Sequence, residues 1–146
     1  GFLLIDFGAK FNNYNADCTR VFFLGKPNKQ ELKIYKLLQD AQKAALLSVK
    51  QGVSFVALDK VSRKVLGAKA KYFTHSLGHG IGVEVHEAPV FSDKKQKVTR
   101  NCVFTIEPGI YLPGKLGLRI EDTVVWDGRV KVLTKFTKDL ISVPIF

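Results

Sequence analysis

Four carboxylates interrupt apolar, strand-like runs, and this placement constrains the fold more than any other feature of the chain. They are Asp6 in Leu3-Leu4-Ile5-Asp6-Phe7-Gly8, Asp17 in Ala16-Asp17-Cys18-Thr19, Glu107 in Phe104-Thr105-Ile106-Glu107-Pro108-Gly109, and Glu121 in Leu118-Arg119-Ile120-Glu121-Asp122. An ionised carboxylate taken out of water costs several kcal/mol unless a cation or hydrogen-bond donors compensate it. With only thirteen Asp and Glu against twenty-three Lys and Arg, something positive is expected among these four. The plain alternative gives each acid its own basic neighbour, with Arg20 and Arg119 the nearest candidates. It suffices for one acid and is strained for four.

Strand alternation brings the acids together. Residues 2–10 and 14–24 are β-prone, and the turn chemistry of Phe11-Asn12-Asn13 between them predicts a hairpin. A two-residue loop there puts Asp6 and Asp17 on one face, because side chains alternate along each strand. An odd-length loop around Pro113-Gly114-Lys115 does the same for Glu107 and Glu121. Between these hairpins, Pro27-Asn28 opens a helix in which Asn28 caps and Glu31 completes a capping box; Leu32, Tyr35, Leu38, Gln42, Ala45 and Leu46 form its stripe, and Gly52 ends it. Ser54 caps a second helix running to about residue 70, with Val61, Val65 and Leu66 inward. Strands are expected at 103–106, 110–112, 118–125 and 130–133, with Asp127-Gly128 as a hairpin turn. Strands, two helices and strands again predict an α+β fold, its helices packed on the outer face of a curved, mainly antiparallel sheet.

All three histidines fall within His75-Ser76-Leu77-Gly78-His79-Gly80-Ile81-Gly82-Val83-Glu84-Val85-His86-Glu87. Gly78, Gly80 and Gly82 argue against a helix there and suggest backbone passing close to a ligand or another strand. Four carboxylates with an imidazole make a hard, oxygen-rich site that suits Mn²⁺ or a similar ion better than a thiolate zinc centre. That many acids can hold two cations about 3.5–4 Å apart. Cys18 and Cys102 form no CxxC pair, which suits a reducing, cytoplasmic compartment. The net charge of +10 is dispersed; only Lys94-Lys95-Gln96-Lys97 clusters, without interleaved aromatics, so specific nucleic-acid binding is not expected. No apolar run approaches the roughly 18 residues of a membrane-spanning helix, so no membrane partner is expected either.

In chain order, Asp6, Asp17-Cys18-Thr19-Arg20, His75-Ser76-Leu77-Gly78-His79-Gly80-Ile81-Gly82, Val85-His86-Glu87, Thr105-Ile106-Glu107-Pro108-Gly109-Ile110-Tyr111 and Arg119-Ile120-Glu121-Asp122 resemble the pita-bread metallopeptidases, specifically the Xaa-Pro branch of aminopeptidase P and proline dipeptidase. The resemblance implies a pita-bread fold, with residues 1–146 as the catalytic domain. It also implies that the N-terminal part of the fold is missing, in keeping with an abrupt start inside what reads as a buried strand and no Met. It implies two divalent ions, Mn²⁺ first with Co²⁺ or Zn²⁺ as alternatives: Asp6 binding one, Asp17 and Glu121 bridging both, His79 and Glu107 completing the other. Glu107 would also take the proton from a water or hydroxide bridging the two ions, His75 and His86 would contact substrate and stabilise the tetrahedral intermediate, and Arg119 would orient the site. The implied reaction is hydrolysis between an N-terminal residue and a following proline, by an aminopeptidase or a dipeptidase. The implied partners are a peptide with proline at its second position and, in the full-length protein, a second copy. The alternative is a non-catalytic pita-bread module that binds peptides or proteins; five filled ligand positions argue against it.

Overall fold

The computed structural model describes residues 1–145. Strands β1 (Phe2–Phe11) and β2 (Tyr14–Leu24) form the expected antiparallel hairpin. Its two loop residues, Asn12 and Asn13, have φ of 47° and 68°. Two successive left-handed residues match the right-handed strand twist, and asparagine tolerates that region better than most side chains. The register pairs Asp6 with Thr19 and Gly8 with Asp17, so Asp6 and Asp17 lie diagonally on one face.

Helix α1 (Lys29–Ser48) begins with the capping box: Asn28 Oδ1 accepts from the Gln30 and Glu31 amides, and Glu31 Oε2 accepts from the Asn28 amide. Tyr35, Leu38, Gln42 and Ala45 are buried as expected, whereas Leu32 is 47% exposed. The buried stripe therefore begins one turn later, at Tyr35. Helix α2 (Phe55–Leu66) is capped by Ser54 and buries Phe55, Leu58, Ser62 and Leu66. Val61 and Val65 flank that line half-buried. The α-helix stops short of residue 70 because Gly67 takes φ +55°, and the chain continues as a 3-10 helix over Gly67–Tyr72.

Eight shorter strands follow: β3 (His79–Gly80), β4 (Glu87–Val90), β5 (Val103–Ile106), β6 (Gly109–Leu112), β7 (Leu116–Arg119), β8 (Asp122–Trp126), β9 (Val130–Val132) and β10 (Ile141–Val143). They form three ladders, β1-β2-β10, β4-β3-β5-β8-β9 and β6-β7, antiparallel except where β10 joins β2. The expected continuous strand over 118–125 is therefore two strands. Register explains how: Gly109 pairs with Arg119 and Ile106 with Asp122, so one alignment runs through both ladders and is interrupted where Glu107 faces Glu121. Pro108 offers no N–H to bridge the gap. The Glu107 amide turns instead to the Leu77 carbonyl (2.7 Å) and the Glu121 amide to the Thr19 carbonyl (3.1 Å).

Alternation then sorts the side chains. Phe104, Ile106, Leu118, Ile120 and Val124 are wholly buried in one core with Leu38, Phe55 and Leu58 of the helices. Thr105, Glu107, Arg119, Glu121 and Thr123 occupy the opposite face. The first strand departs from its reading as buried: Leu3 is 41% and Ile5 39% exposed, because β1 is an edge strand with β2 as its one partner among the described residues. No described helix is long and apolar enough to cross a membrane.

Candidate metal centre

The interrupted ladder, the first hairpin and the glycine-rich histidine segment meet at a single open cleft of about 680 Å³. Asp17 comes from β2, His79 from β3, Glu107 from the end of β5 and Glu121 from the turn into β8. Asp17, His79 and Glu121 each offer a ligand atom within 4.8 Å of the others. Glu107 Oε1 lies 3.3 Å from His79 Nε2, and Asp17 Oδ2 lies 3.8 Å from it. His79 is fixed by its other nitrogen: Nδ1 donates to the Gly80 carbonyl at 3.0 Å, which leaves the Nε2 lone pair facing the acids. Burial lowers its pKa, keeping it neutral, the form in which imidazole ligates.

The two glutamates are only partly compensated. Burial, reinforced by the Glu121 charge, pushes Glu107 up to about 8. Burial and Asp17 push Glu121 up to about 7, although Thr19 Oγ1 donates to its Oε2 at 2.6 Å. Arg119 offsets them only in part, its Nε lying 3.8 Å from Glu107 and 3.9 Å from Glu121 while Nη2 grips Asp6 at 2.5 Å. Asp6 thus lines the cleft but is 51% exposed and paired with Arg119. Arg20, the other partner that the plain alternative offered, points to the opposite face and pairs with Asp122. Residue 20 alternates away from Asp17 and Thr19, as residue 122 does from Glu121. A cluster of hard oxygen donors with a neutral imidazole, in which burial holds the Glu107 and Glu121 carboxyls above their ordinary pKa, fits divalent cations.

This arrangement has a measurable consequence. Folded-state pKa values above the ordinary 4.5 mean that the folded protein holds protons the unfolded chain releases. The stability they contribute is complete below about pH 4.5 and is lost as pH rises to about 8. Melts of chelator-treated protein between pH 5 and 8.5 should show wild type losing stability relative to Glu107→Gln as pH rises; a constant difference would contradict the shift. Divalent cations should restore stability most at the alkaline end, where no proton must be displaced.

His75 is placed beside the cleft. Its Nδ1 donates to the Ser76 carbonyl and its Nε2 accepts from Tyr111 Oη, both at 2.8 Å, and burial lowers its pKa. Arg119 Nη1 in turn donates to Tyr111 Oη at 3.4 Å. His75 is backed by Arg63, which donates to the His75 and Phe73 carbonyls while paired with Asp59, itself an acceptor for the Leu77 amide. His86 is exposed at the cleft mouth with its ring centroid 4.1 Å from that of His79. Its loop is tied to the first hairpin by Asn15, whose Nδ2 donates to the Gly82 (3.0 Å) and Val83 (2.8 Å) carbonyls. The spacing of acids and histidines gave no sign of Tyr111, Thr19 or Thr105. Thr105 Oγ1 accepts from the His79 amide (3.0 Å) and donates to Glu107 Oε1 (3.1 Å).

Residues 1–127 match the family model described as metallopeptidase family M24. The chain belongs to that family. Among M24 relatives, the Xaa-Pro dipeptidase of Pyrococcus horikoshii is 43% identical over 143 residues, which are 95% of this chain and 41% of the relative. The chain thus spans about two fifths of the length of the curated relatives it matches. Solved M24 structures agree: the X-Pro aminopeptidase of Thermotoga maritima superposes with a TM-score of 0.92 at 42% identity, covering 97% of this chain and 42% of that one. The prolidase of Pyrococcus horikoshii gives 0.89 at 43% identity, covering 96% and 42%. These neighbours confirm the pita-bread α+β fold read from the sequence.

Proposed function

We propose that residues 1–146 form the catalytic domain of an Xaa-Pro peptidase that hydrolyses the bond between an N-terminal residue and a following proline. The convergence of Asp17, His79, Glu107 and Glu121 on one cleft carries this reading, and the names of the M24 relatives supply the substrate class. Asp6, Asp17, His79, Glu107 and Glu121 are the residues that would hold two divalent cations, with Asp17 and Glu121 shared between them. Mn²⁺ fits this oxygen-rich set best, with Co²⁺ and Zn²⁺ as alternatives. Bound there, such cations polarise a carbonyl and acidify water.

The chain's own residues do the rest. Glu107 accepts the proton of the attacking water and passes it to the leaving nitrogen. A prolyl nitrogen carries no proton of its own and leaves only once protonated. His86, exposed at the mouth, donates to the developing oxyanion, and His75, whose Nε2 holds the Tyr111 hydroxyl, contacts the substrate beside it. Arg119 positions Asp6 and Tyr111. The full-length protein is proposed to act as a homodimer in a reducing, cytoplasmic setting, which two free cysteines suit.

The test is hydrolysis of Ala-Pro-Ala beside Ala-Pro by the full-length protein, after chelation and again with Mn²⁺. Cleavage restored by Mn²⁺ is the expected result, and the preferred peptide separates aminopeptidase from dipeptidase. A folded protein that binds Mn²⁺ yet cleaves neither peptide would replace the peptidase by the peptide-binding module.

A further inference from the structure

We propose that Arg20 is a positioning residue for the cation site, fixing from the helix side of the sheet the two backbone segments that present Thr19 and Glu121 to the cleft. The inference rests on the reading that Asp17 and Glu121 hold a divalent cation. Arg20 is 2% exposed and makes six hydrogen bonds. Its Nη1 donates to the carbonyls of both Thr19 (2.9 Å) and Glu121 (2.5 Å). These are the same two residues whose side chains meet on the other face, Thr19 Oγ1 donating to Glu121 Oε2. Glu121 is consequently held in front by a hydroxyl and behind by a guanidinium, with its amide on the Thr19 carbonyl between them.

The remaining donors explain why the clamp is rigid. Nη2 reaches Asp122 Oδ1 at 2.7 Å and the Thr134 carbonyl at 3.0 Å, and Nη2 and Nε share the Phe136 carbonyl at 2.9 and 3.1 Å. Asp122 Oδ2 is taken by Lys138 Nζ (2.6 Å) and Gln42 Nε2 (3.1 Å). Thr134, Phe136 and Lys138 all lie beyond residue 127, where the family match ends. The chain past the shared catalytic motifs therefore closes over Arg20 and locks it. A buried ion pair alone argues weakly for stability; the distinguishing feature is that this guanidinium ends on the carbonyl of a residue proposed to ligate. A lysine ammonium keeps the charge opposite Asp122 but lacks the planar fork that spans five acceptors.

Two variants in the full-length protein, Arg20→Lys and Lys138→Met, each remove part of the pairing on Asp122, but only the first touches the Thr19 and Glu121 carbonyls. Mn²⁺ affinity is measured by chelator competition, and the cation-free melting temperature is measured alongside. Arg20→Lys should weaken Mn²⁺ binding by about 10–100-fold, the range for residues that orient ligands. Lys138→Met should lower the melting temperature and leave Mn²⁺ affinity unchanged. Wild-type Mn²⁺ affinity in Arg20→Lys, or equal losses in both variants, would overturn the proposal. A wild-type protein that binds no Mn²⁺ would overturn the underlying cation reading instead. Should Arg20→Lys not fold, amide exchange in wild type decides: residues 17–21 and 119–123 protected equally before and after Mn²⁺ support a preset clamp, and protection that arises only with Mn²⁺ overturns it.

Discussion

Glu107→Gln should lower kcat by about three orders of magnitude, within the range for loss of a general base, while the cation-free protein becomes more stable above pH 8. The opposing directions share one cause. Glu107 is largely buried beside Glu121, and Arg119 offsets its charge only in part, so ionising it strains the fold. The glutamine keeps the shape and an oxygen toward His79, removes the buried charge, and cannot take a proton from water. Peptide hydrolysis at saturating Mn²⁺ and melts in chelator read the two effects separately. Turnover near wild type would remove Glu107 from the role of base, and an unchanged alkaline melting temperature would remove its buried charge as a source of strain.

Gly78→Ala should cost about 3 kcal/mol or more, at the severe end for overpacking, and lower the melting temperature by roughly 10 °C. A Cβ at Gly78 would overlap the Thr105 carbonyl oxygen and come within 2.8 Å of the Thr105 carbonyl carbon and 2.9 Å of its Oγ1. Backbone cannot yield as the end of a flexible side chain does. Thr105 Oγ1 joins the His79 amide to Glu107, so displacing it moves two cleft residues together, and Mn²⁺ affinity should fall with stability. Gly52→Ala is the comparison: φ is +80° with nothing within 4 Å, which isolates backbone strain at about 1–2 kcal/mol. A Gly78→Ala protein melting with or above Gly52→Ala would refute the close-approach account.

The convergence of acids was legible in the sequence because alternation is a parity rule, and parity survives errors of a residue or two in strand ends. Asp6 with Asp17, and Glu107 with Glu121, share faces for that reason. The capping box at Asn28 was equally legible, being wholly local. What escaped reading depends on contacts between distant segments. Thr19 and Thr105 look like ordinary strand formers, and Tyr111 like a core aromatic, until the chain brings Glu121, His79 and His75 to them. The plain alternative offered Arg20 as a partner for these acids, and the same parity that unites them turns it to Asp122 instead. The break at Glu107-Pro108 escaped because its amides find partners in Leu77 and Thr19, outside the hairpin itself.

That break has a practical corollary for engineering. Since one alignment continues on both sides of the two glutamates, the β6–β7 hairpin is a finger projecting from a junction whose register is already set. Its exposed tip at 113–115 is a grafting point where a tag or reporter peptide can be inserted without re-aiming either glutamate. One extra residue between Ile106 and Glu107, or between Glu121 and Asp122, would instead swing a carboxylate to the helix side. Two insertions a few residues apart would thus differ between a labelled protein and a lost carboxylate cluster.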